Sequence, residues 1–63
     1  MDEVETIAAI TRLLMKGRGE TSPNVQIILH ACGDVADLFH WDSDADRYFA
    51  INSAASILVK ALT

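Results

Sequence analysis

From Val25 to Phe39 the apolar residues recur at spacings of three and four: Val25, Ile28, Leu29, Cys32, Val35, Ala36 and Phe39. That period belongs to an α-helix, and Ile27, Ala31 and Leu38 widen the apolar face to roughly 200° of the helical wheel. A face so wide marks this segment as the central helix. Ser22 is positioned to cap it and Pro23 to occupy the first helical turn, where a missing N–H costs nothing. Gln26, His30, Asp34 and Asp37 form its polar strip. The stretch VQIIL lacks turn signals on both sides and continues in helical register, so it is no strand.

The segment before it, Asp2 to Lys16, opens with Asp2, Glu3 and Glu5 and closes with Arg12 and Lys16, the order a helix dipole favours. Gly17 is expected to stop it. Val4, Ile7, Ala8, Ile10, Leu13, Leu14 and Met15 spread over roughly 220° of the wheel, more than one neighbouring helix can cover. The loop GRGETS follows. It has none of the GxxxxGK[ST] pattern of a phosphate loop and no strand before it.

A third helix is expected from about Asp44 to Leu62, with Tyr48, Ile51, Ala54, Ala55, Leu58, Ala61 and Leu62 on one face and Phe49 stranded on the other. It begins in WDSDADRYF. Ser43 followed by Asp46 fits a capping box, which places the aspartates around a helix N-terminus. The run also resembles the start of a calcium loop, but Arg47 stands where glycine is required and Ser53 where the bidentate glutamate is required. Fold class is therefore all-α: helices at about 2–16, 23–40 and 44–62 in a single small domain spanning 1–63.

A chain of 63 residues has difficulty building enough interior to be stable alone. Burial of roughly 6,000 Å², about 60% of it apolar, contributes roughly 90 kcal/mol against about 95 kcal/mol of chain entropy. Small proteins escape that balance through disulfides, metals or association. Cys32 is the sole cysteine, and with two histidines it does not make a closed zinc site. Association remains, most simply as a homodimer closing one patch on itself. Ile7, Ile10, Leu14 and Phe49 are the candidate interface residues.

Chemistry is sparse. Cys32 lies in the apolar arc with no base one helical turn away, which describes an inert core thiol. His30 and Asp34 form an i, i+4 pair of a kind common on solvated helix surfaces. His40 is expected to sit at the end of the second helix as a dipole partner. No catalytic, cofactor or metal residue is assigned, and the chain is read as non-enzymatic.

The net charge of −4 argues against a surface that neutralises phosphates. No 18-residue apolar run exists to span a membrane, and the acidic start MDEVETIAAI is no secretory leader. A reducing cytoplasm is the expected location. The expected partners are a second copy of the chain and another protein, which it would serve as adaptor, regulator or inhibitor, a role that short reading frames of phages and mobile elements often fill. The alternative is an acidic patch of Asp34, Asp37, Asp42, Asp44 and Asp46 that mimics nucleic acid in a basic cleft. A helix-turn-helix DNA-binding regulator has the helix count, but no basic recognition helix follows the cluster of Arg12, Lys16 and Arg18.

Overall fold

A computed structural model describes residues 2–63, and among them every regular element is helical: α1 (Glu3–Gly17), α2 (Val25–Ala36) and α3 (Asp44–Leu62). Each helix begins on a side chain that takes an otherwise unpaired amide. Asp2 Oδ1 accepts from the Glu5 amide at 2.8 Å, Asn24 Oδ1 from Ile27 at 3.2 Å, and Ser43 Oγ from Asp46 at 3.2 Å. The cap expected at Ser43 is therefore present, whereas the one expected at Ser22 is not. Asn24 caps α2, and Pro23 precedes the cap, because the Asn24 side chain reaches the third helical amide and leaves Ser22 outside the helix.

Two stops also differ from expectation. Gly17 remains helical, and it is Gly19 that turns left-handed, with φ of 71°. The amide of Glu20 reaches Met15 O at 2.8 Å and that of Gly19 reaches Lys16 O at 3.0 Å, the paired bonds that satisfy the last carbonyls of a helix ending this way. α2 ends at Ala36 rather than near residue 40. Leu38 and Phe39 donate to Val35 O and Ala36 O, tightening the backbone out of α-helical register. His40 thus lies beyond the helix, not on its last turn.

The helices run up, down and up. Val4 lies beside Phe49 and Ala50, and Arg12 lines the same groove as Ala61, so α1 and α3 are parallel. Val25 and Leu29 lie along Ala55 to Lys60, and Asp37 meets Arg47 at the opposite end of α2, so α2 is antiparallel to both. Ile7, Met15, Ile28, Cys32 and Leu58 are wholly enclosed between the helices. Ala31, Ala36, Ala50, Ala54 and Ala55 are buried around them and let the backbones approach. Thr11, a polar residue absent from the apolar pattern, is equally enclosed.

The accessible surface, 4076 Å², matches the roughly 4,000 Å² expected of a folded monomer of 6.9 kDa. Within one chain, then, the three helices bury what their size allows. What they leave outside includes large apolar side chains: Leu13 is 70% exposed, Leu38 78% and Phe49 70%.

Candidate functional site

The wide arc of α1 is divided by its neighbours. Ile7, Ala8, Thr11 and Met15 face inward, with Val4 and Leu14 half-buried beside them. At about 100° per residue, that centres the buried stripe between Ile7 and Met15 and leaves Leu13 almost opposite it. The groove shared with α3 is lined by Glu5, Ala8, Ala9 and Arg12, which puts Ile10 on the flank turned to α2. Ile10 is 38% exposed, as is Ile27 on the flank of α2 turned to α1. Of the expected interface residues, Ile7 is sealed inside the chain, Leu14 half-buried, and Ile10 and Phe49 open to solvent. Leu13, part of the arc but not singled out in the sequence, is the most outward apolar residue of α1.

Phe49 lies elsewhere. With Trp41 and Val4 it lines an open cleft of ≈ 570 Å³ at the joined N-terminal ends of α1 and α3. Asp2, Glu3 and Asp46 border the same cleft, and Asp42 and Asp44 precede Asp46 at the start of α3. The far end of the bundle carries Lys16 and Lys60 in the last turns of α1 and α3. The molecule is thus acidic at one end and basic at the other.

The five aspartates of the expected patch stand in different surroundings. Asp37 Oδ1 accepts from Arg47 Nη2 at 2.8 Å and from Arg47 Nε at 2.9 Å, so its charge is neutralised by α3. Arg47, not singled out in the sequence, also lies over the Tyr48 ring, 5.6 Å from its centroid. Asp34 faces the α2–α3 cleft with His30, and no ion pair joins them among the described residues. Asp42 approaches the fully solvated His40 at 3.6 Å, a contact of little energetic weight.

No group of three or more His, Cys, Asp or Glu converges as a metal site among the described residues. Burial pushes the Cys32 thiol above its ordinary pKa, and the nearby Thr11 hydroxyl offsets part of that rise. Thr11 Oγ1 nevertheless makes no hydrogen bond of regular geometry. We take the pair as a weak polar contact, since sulfur is a poor acceptor. No described helix is long and apolar enough to cross a membrane. Comparison with protein-family models, curated proteins and solved structures found no match for this chain.

Proposed function

We propose that this chain is a non-enzymatic helical interaction module that self-associates and uses its remaining surface to engage another protein as an adaptor, regulator or inhibitor. The observation that supports this reading is the solvent exposure of Leu13, Leu38 and Phe49 at 70–78% on a bundle whose interior is already full for its mass. Leu13 neighbours the partly exposed Ile10 on α1, and Phe49 shares an open cleft with Val4 and Trp41, so two of the three belong to apolar patches of the kind that offer a contact surface to a partner. The test is capture of partners by a tagged chain and by its Phe49→Ala and Leu38→Asp variants. Both residues are exposed, so the variants should stay folded and lose the captured protein. Identical capture by all three removes the apolar basis of the reading.

One observation favours a second reading, in which the acidic end enters a basic cleft in place of nucleic acid. Asp2, which caps α1, and Glu3 in its first turn lie beside Asp46 of α3 around one opening, enlarging the charge that Asp42, Asp44 and Asp46 supply alone. Reversal of those three aspartates to lysine should abolish binding under this reading and leave it intact under the first, and only charge mimicry predicts a steep loss of affinity with salt.

A further inference from the structure

The outward side of α1 carries Glu3, Thr6, Ile10, Leu13 and Gly17 at alternating spacings of three and four. That average of 3.5 is the repeat with which one helix packs along another. Ile10 and Leu13, 38% and 70% exposed, are its apolar centre. A side chain at Gly17 would meet nothing within 4 Å, so a neighbour could approach closely there. Glu5, Ala9, Arg12 and Lys16 form the adjoining flank. Neither Glu5 nor Lys16 has an ion-pair partner among the described residues.

Taking the chain as a self-associating module, as proposed above, we infer that a second copy covers this side of α1 in antiparallel orientation, related by a two-fold axis that passes between the two α1 helices at the level midway between Ile10 and Leu13. Charge selects the orientation. α1 is acidic in its first turn, with Glu3 and Glu5, and basic in its last, with Lys16. A parallel pair would lay like charges along like charges. The antiparallel pair sets Ile10 of each copy against Leu13 of the other in two equivalent layers, as two-fold symmetry requires. On the matching flanks it brings Glu5 level with Lys16 of the second copy to within about 3 Å along the helix axis, and the two long side chains extend towards each other across the seam. A whole side of the bundle, with extents of 32 × 22 × 18 Å, sets an upper limit of roughly 600–700 Å², below the ~800 Å² per partner of a standard interface and in keeping with a dimer that dissociates on dilution.

Sedimentation equilibrium of the full chain and four variants tests this. Wild type is expected to be dimeric at about 50 μM and to dissociate on dilution. Leu13→Asp should be monomeric with unchanged helical circular dichroism, since the residue is outside the core. Glu5→Lys and Lys16→Glu should each weaken the dimer about tenfold at low salt, and the two changes together should restore it to within about threefold of wild type. A Leu13→Asp protein that remains dimeric, or a double variant no tighter than the singles, overturns this pairing and leaves self-association standing. A wild type that stays monomeric throughout overturns both.

Discussion

Trp41 Nε1 donates a 2.7 Å hydrogen bond to the carbonyl oxygen of Ala36, five residues earlier, and so closes the C-terminus of α2 with a side chain. The same indole meets the Phe39 ring at 6.2 Å between centroids, tilted by 44°, and packs with it against the core. Trp41→Phe keeps an aromatic ring and removes the donor. The carbonyl it leaves is only partly buried, so we expect a loss of about 1 kcal/mol in urea unfolding. Trp41→Ala, which also removes ring packing, should lose about 3 kcal/mol. A Trp41→Phe protein as stable as wild type would show that the hydrogen bond contributes nothing, and equal losses in the two variants would show the same of the ring packing.

Gly19 and Gly33 should respond to alanine in opposite directions. Gly19 adopts φ of 71°, a conformation that costs an L side chain about 1 kcal/mol, so Gly19→Ala lowers stability although nothing crowds the new methyl. Gly33 lies inside α2, and a Cβ there meets only the Arg47 Nη2 atom at 4.0 Å. Gly33→Ala should therefore raise stability by about 0.5–1 kcal/mol through helix propensity and a less disordered unfolded chain. Thermal melts of the two variants check the signs directly.

That contrast shows what the sequence reveals about this fold. Ser43 and Asp46 announce the start of α3 because a cap is a local contact between near neighbours, visible in a short window. The end of α2 is invisible to the same reasoning, since its stop is neither glycine nor proline but an indole arriving from Trp41. Between Gly17 and Gly19 no local rule distinguishes which turns left-handed, as both follow the last basic turn of α1. Thr11 is legible in position though not in type: it falls in the same helical stripe as Ile7, Ala8 and Met15, and only its hydroxyl argues against burial. For the candidate site, the excess width of the apolar arc of α1 could be read, but the line dividing it could not. Ile7 and Ile10 are three residues apart, and which of them is sealed depends on where α2 and α3 come to rest. The Arg47–Asp37 pair, joining separate helices, left no trace in either segment alone.

Thr11 itself supplies a stability prediction. Its hydroxyl is wholly buried without a regular hydrogen bond, and such a group costs on the order of 1–3 kcal/mol relative to an apolar one of the same shape. Thr11→Val preserves the branched shape and removes the oxygen. Stability should rise by about 1 kcal/mol, equivalent to about 4–8 °C in Tm for a domain of this size. A fall instead would mean that the contact with the Cys32 thiol is a net stabilising hydrogen bond.

Cys32 gives the fold an alkaline limit. The thiol is wholly enclosed, and desolvation raises its pKa above the ordinary 9.0, so the native state favours the protonated form more strongly than the unfolded chain does. The resulting stability is complete below the unfolded value of about 9 and is lost as pH climbs through the raised native value, because over that interval the unfolded chain binds fewer protons. Subtraction of a second curve isolates the contribution of the thiol. Cys32→Ala should be less stable than wild type by about 1–2 kcal/mol at neutral pH from the cavity it leaves, yet it retains every other titrating group. The gap between the two urea midpoints should therefore narrow as pH rises from about 8 to about 10.5. A constant gap would mean that the thiol ionises in the native state as readily as in water, which its enclosure between α1, α2 and α3 does not allow.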